Sequence, residues 1–161
     1  MSLNILNLHR LKTKNVGDLL CAPYKYFPDL LGLDAREILG FRSADEPSAE
    51  LRVSFKTSFQ KADAIVVGGG GLLEIDFFQP FFKFLSENRQ PNQKIILWGA
   101  GHNSWQIGDW RRLKHEYKFD ESLFDLIGLR DYNYKYEWVP CVSCMHAEFD
   151  KPAEIAQEIG I

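Results

Sequence analysis

At 161 residues the chain is sized for one ordinary domain rather than two, and 45% hydrophobic against 25% charged residues is the balance of a globular fold, not of a disordered one. A net charge of −3 with a pI near 5.8 lacks the basic footprint that DNA or RNA would require. No apolar run approaches a membrane span, no cleavable leader is visible, and three cysteines are too few for a disulfide framework, so the expectation is a soluble, cytoplasmic protein without a transmembrane segment.

Asn4 to Leu8 reads as a short strand, and Asn15-Val16-Gly17-Asp18 as a turn after it, with Asp18 placed to cap the next apolar stretch. Leu19 to Phe27 predicts a helix with Pro23 in its first turn, where proline costs no hydrogen bond. Asp34 to Phe41 is short and mixed, and Ser43 to Ala49, with Pro47 among small and acidic residues, reads as an exposed loop. Leu51 to Phe55 alternates like a strand, while Phe55 to Ala62 suits a short helix equally well.

Ala64-Ile65-Val66-Val67 is the firmest strand signal, a continuous apolar run that ends in four glycines, as in a strand buried on both faces of a parallel sheet. Phe77 to Asn88 has helical spacing and suits a crossover helix. Lys94 to Trp98 repeats the buried-strand signature and enters Gly99-Ala100-Gly101. Leu123 to Leu129 and Tyr136 to Val139 are two further runs, closed by Arg130-Asp131 and by Pro140, and Pro152 to Ile161 reads as a helix. The alternation predicts an α/β fold: a doubly wound, mainly parallel, Rossmann-like sheet with helices on both faces, whose ligands collect at the carboxyl ends of the strands.

The candidate chemistry lies at those ends. Gly69, Gly70 and Gly71, in a run free of Cβ atoms, let backbone N–H groups approach an anion; the competing reading is a tight strand-to-helix turn. The run is no Walker A loop, because Leu72-Leu73-Glu74 come directly after it, and its spacing does not match the dinucleotide fingerprint. Gly101, His102 and Asn103 form a second glycine turn with two polar side chains, His102 being suited to general acid or base work and equally to capping the next segment. Trp105 suits either a sugar ring or the core. Asn15, Gly17 and Asp18 offer amide, backbone and carboxylate groups, or simply a turn and cap. Arg130 can grip a carboxylate or phosphate through two parallel hydrogen bonds, with Asp131 as a binding residue beside it or as its internal partner. Cys141-Val142-Ser143-Cys144, with His146 close by, has the spacing of half a zinc site, but a fourth ligand has no obvious source, so free thiols are expected and neither metal nor cofactor is assigned.

Taken in order, Asn15-Val16-Gly17-Asp18, the strand into Gly68 to Leu73, Gly99-Ala100-Gly101, Gly128-Leu129-Arg130-Asp131 and Val139-Pro140-Cys141 resemble the motifs of the polysaccharide pyruvyl transferase family, over about residues 4 to 146. The resemblance implies transfer of a pyruvyl group from phosphoenolpyruvate to a polysaccharide or lipid-linked sugar acceptor, forming a ketal, on a two-domain architecture similar to the GT-B glycosyltransferases. It implies that residues 1–161 are one α/β domain, the amino-terminal half of a larger enzyme, needing a missing carboxy-terminal domain for turnover. In that frame Arg130 matches the family's Arg-Asp motif as a clamp, and His102 is a candidate acid.

Two other functions compete. One is a GT-B-like glycosyltransferase using a nucleotide sugar, the glycine loops cradling its diphosphate. The other is a non-catalytic assembly module whose Phe77 to Phe84 surface holds a partner chain, a homo-oligomer included.

Overall fold

The computed structural model describes residues 3–42, 49–73, 76–103, 119–132 and 135–151. In chain order its elements are β1 (Ile5–His9), α1 (Val16–Leu20), α2 (Pro28–Leu31), β2 (Ala35–Glu37), α3 (Ala49–Lys61), β3 (Ala64–Leu73), α4 (Gln79–Asn88), β4 (Lys94–His102), β5 (Leu126–Leu129) and β6 (Glu137–Trp138), with 3-10 turns between several of them. The strands form one all-parallel sheet in the order β2-β1-β3-β4-β5-β6. The doubly wound α/β architecture expected from the alternation is therefore present. The chain reverses direction across the sheet between β1 and β3, which makes that gap the topological switch point.

Strand alternation divides the sheet into two faces. Leu6, Leu8, Ile65, Val67, Ile95, Leu97 and Leu129 are fully buried in the main core. Against them pack Phe55, Phe59 and Ala62, spaced i, i+4, i+7, and Phe81, Phe82 and Leu85 of α4. Phe84 joins the two helices, with ring centroids 5.1 Å from Phe41 and Phe59 and 5.8 Å from Phe55. Each such side chain contributes about 1.5–3 kcal/mol on burial. The opposite face carries Asn7, whose Nδ2 donates to the carbonyls of Leu31 and Asp34, and Trp98, stacked 5.5 Å from Phe27.

Several local expectations are corrected. Leu19 to Phe27 is not one helix: α1 stops at Leu20, and Pro23 and Pro28 each open a separate short turn or helix, as first-turn prolines do. Asn15, not Asp18, caps α1, its side chain accepting from the Gly17 amide at 3.0 Å. Leu51 to Phe55 is helical, the start of α3 having been mimicked by a chance alternation. Within Asp34 to Phe41 lies the short edge strand β2. The loop reading of Ser43 to Ala49 falls outside the described residues up to 48, as do Trp105 and the helix expected at Pro152 to Ile161.

The largest correction concerns the glycines. Neither glycine run ends its strand: β3 continues to Leu73 and β4 to His102. The rungs Gly68↔Trp98 and Gly70↔Ala100 flank Gly69 and Gly99, and both intervening residues have left-handed backbone, φ 63° and 67°. The two neighbouring strands thus kink at the same level, a conformation that only glycine adopts at no steric cost. The aromatics of the proposed assembly surface are mostly core: Phe78, Phe81 and Phe82 are buried, and Phe77 is the exposed one.

Candidate functional site

The carboxyl end of β1 is fastened to its neighbours by His9. The ring is buried, with Nδ1 2.6 Å from the Gly68 carbonyl of β3 and Nε2 2.5 Å from the Asp18 carbonyl of α1. Burial lowers its pKa below the ordinary value, against the two carbonyls, which favour a ring protonated on both nitrogens. Glu37 ends β2 beside it: this buried carboxylate accepts from the amides of Leu11 (2.7 Å) and Lys12 (2.5 Å) and pairs with Arg10 at 3.1 Å. The loop after β1 is thereby held at both ends.

The glycine run of β3 lies under the segment that comes after α1. A Cβ on Gly68 would stand 2.4 Å from Pro23 Cδ, and one on Gly69 1.8 Å from the Cys21 carbonyl oxygen. Gly70 faces Asp18 Oδ1 and Cys21 Sγ, each at 3.4 Å by the same measure, and Gly71 faces Asn103, at 2.7 Å. The chain's own atoms occupy the space that these glycines leave. The crevice at the β1/β3 switch point is closed by residues 18–23 rather than open to an anion.

The second glycine turn is built differently. Asn103 ties β4 back to β3, its Nδ2 donating to Gly71 O at 3.2 Å. The His102 amide donates to Asp131 Oδ2 at 2.6 Å, so Asp131 fixes the end of β4. Arg130 lies across Gly101, where a Cβ would stand 2.4 Å from its Nε and 2.6 Å from its Cγ. Its guanidinium makes one long bond to the His102 carbonyl, 3.4 Å, and stands 4.0 Å from Asp131. The side chain is 32% exposed. Among the described residues, its remaining N–H groups meet no protein acceptor. Gly101, His102, Asn103, Arg130 and Asp131 are thus brought together at the ends of β4 and β5. Asn15, Gly17 and Asp18 form α1 and its cap, at the switch point.

Cys21 sits between these groups. Burial pushes its thiol up to about 12, Cys141 and Asp18 add to the rise, and the charge of Arg130 opposes it. Tyr26 is raised by burial and by the same cysteine neighbourhood, Cys141, Cys21 and Cys144. Cys21 thus lies near Cys141, which is distant in sequence, and all three cysteines are free thiols. Among the described residues no group of three His, Cys, Asp or Glu side chains is arranged to hold a metal.

Four features escaped sequence reading. His9 and Glu37 end their strands next to arginines, and their burial comes from strand pairing together with the loop after β1 and α1. Tyr132 and Trp138 are exposed rings beside Arg130, the Trp138 indole donating to the Arg130 carbonyl at 3.1 Å. No protein-family model, curated protein or solved structure matches the chain. Among the described residues no helix is long and apolar enough to cross a membrane.

Proposed function

We propose that this chain is the α/β half of a polysaccharide pyruvyl transferase-like enzyme, with Arg130 gripping the phosphate or carboxylate of phosphoenolpyruvate at the ends of β4 and β5. The observation that carries the reading is the Arg130 side chain, lying across Gly101 with, among the described residues, one long hydrogen bond to the His102 carbonyl and a 4.0 Å ion pair with Asp131. A planar fork of donors at strand carboxyl ends suits an oxyanion that accepts two parallel hydrogen bonds.

In such a transfer two acceptor hydroxyls add to the enol carbon of phosphoenolpyruvate, a proton goes to its methylene carbon, and inorganic phosphate leaves, so that one ketal and one phosphate form per donor. The anionic donor needs a cation, and the methylene needs an acid. Arg130 is the cation in this reading. His102, whose backbone Asp131 holds at the same edge, is the candidate acid. The second domain would bring the remaining groups. The acceptor is a polysaccharide or lipid-linked sugar.

Thermal unfolding with phosphoenolpyruvate, inorganic phosphate and uridine diphosphate tests the reading, because a ligand that binds only the folded chain raises the melting temperature. Stabilisation by phosphoenolpyruvate beyond that by phosphate alone is expected. A larger shift with uridine diphosphate would replace this reading with a nucleotide-sugar glycosyltransferase.

A further inference from the structure

We infer that Tyr132 and Trp138 form a subsite for one pyranose ring, beside Arg130 at the carboxyl edge of the sheet. Tyr132 lies three residues beyond the end of β5, and Trp138 closes the neighbouring strand β6. They are 71% and 54% exposed, yet their rings are not splayed apart: the centroids lie 5.8 Å from each other with the planes at 84°. Leaving two large rings in water forgoes burial that each would otherwise gain. Trp138 is also anchored, since its Nε1 donates to the Arg130 carbonyl at 3.1 Å. That bond uses the indole's single polar atom, so the ring presents carbon surface alone to a ligand.

The chemistry of the occupant is set by this corner. The two rings meet edge to face, and their exposed carbon surface suits the C–H face of a pyranose, the usual way an aromatic ring holds a sugar. The surroundings are polar: Arg130 and Asp131 adjoin Tyr132, Lys135 pairs with Glu121, and Glu137 precedes Trp138. Charged residues flank both rings in sequence, and a sugar has hydroxyls to offer them that an apolar protein partner lacks. The Trp138 indole holds the main-chain carbonyl of Arg130, so the ring pair and the proposed donor clamp belong to the same end of β5. The inference rests on the proposed function only for the reaction; the binding stands by itself.

Saturation-transfer NMR on the intact chain, with methyl glycosides of glucose, galactose and mannose as probes and uridine as control, tests it. At least one glycoside is expected to receive saturation on its C–H face, with apparent affinity falling about five- to tenfold in Tyr132→Ala and in Trp138→Ala. Both positions are exposed, and an unchanged melting temperature and circular dichroism spectrum would show that each variant is folded. No transfer to any glycoside, equal binding by the double variant, or transfer to uridine alone would overturn the inference. Glycoside binding by a wild-type chain that phosphoenolpyruvate does not stabilise would count against the proposed donor site and leave this inference standing.

Discussion

The side chain of Arg130 lies across the α-carbon of Gly101, and this contact between neighbouring strands sets where the guanidinium points. A methyl group at position 101 would stand 2.4 Å from Nε and 2.6 Å from Cγ. The arginine stem would have to leave, although Gly101 has no left-handed backbone to strain. Gly101→Ala is therefore expected to lower phosphoenolpyruvate affinity nearly as much as loss of the guanidinium does, with a stability cost of only about 1–2 kcal/mol. Calorimetric titration alongside denaturant unfolding separates the two effects. Unchanged affinity would mean that the Arg130 orientation is immaterial.

Gly69 and Gly32 supply a comparison, since both have positive φ, 63° and 64°. A Cβ on Gly32 meets nothing within 4 Å, so Gly32→Ala carries the conformational cost alone, roughly 1–3 kcal/mol. A Cβ on Gly69 meets the Cys21 carbonyl oxygen at 1.8 Å, so the backbone of one strand or loop must move. Gly69→Ala is expected to cost at least about 4 kcal/mol or to prevent folding. Equal costs at the two sites would show that residues 18–23 do not close over the glycine run.

His9 makes stability depend on pH. Its pKa is lowered by burial, so the unfolded chain binds the extra proton more readily than the folded one. Its contribution is intact above the unfolded value near 6.5 and is lost as pH falls from there through the lowered folded value. Unfolding free energies measured between about pH 5 and 8 should fall more steeply toward acid in the wild type than in His9→Gln. The opposite order, with wild type gaining on the variant as pH falls, would mean that the ring stands protonated between the Gly68 and Asp18 carbonyls.

How far the sequence reveals this molecule depends on whether a residue's role is local. Ile65 to Val67 and Ile95 to Leu97 are readable because a strand covered on both faces must be apolar throughout. β2 is not readable, being three residues at an edge whose Arg36 and Glu37 make contacts far away in sequence. Glycine spacing marks Gly69 and Gly99 as special. It does not say whether a ligand or the chain itself fills the space; Cys21 and Pro23 fill it over β3. Arg130 is legible as a cation at a strand end, but its openness depends on Asp131 capping His102 instead of pairing closely with it. Trp138 falls within the apolar run Tyr136 to Val139, and its exposure beside Tyr132 becomes visible only when the strands are placed.

The three thiols should differ sharply in reactivity. Cys21 is buried, with its pKa pushed up to about 12, whereas Cys144 is exposed and Cys141 lies between them in exposure. The thiolate is the species that alkylates, so brief iodoacetamide treatment of the native chain near pH 8 should label Cys144 ahead of Cys141 and leave Cys21 unlabelled until denaturant is added. Peptide mass spectrometry reads the order directly. Early labelling of Cys21 would contradict its placement beneath the α1 segment.

Whether Arg130 is the anion clamp of this edge is decided by calorimetric titration of phosphoenolpyruvate into wild type, Arg130→Lys and Arg130→Ala. A bidentate, charge-assisted contact of about 1.5–3 kcal/mol predicts roughly 10- to 100-fold weaker binding in the alanine variant, with lysine in between because it keeps the charge but not the fork. Phosphoenolpyruvate binding of equal strength in all three proteins would refute the clamp and move the donor away from the ends of β4 and β5.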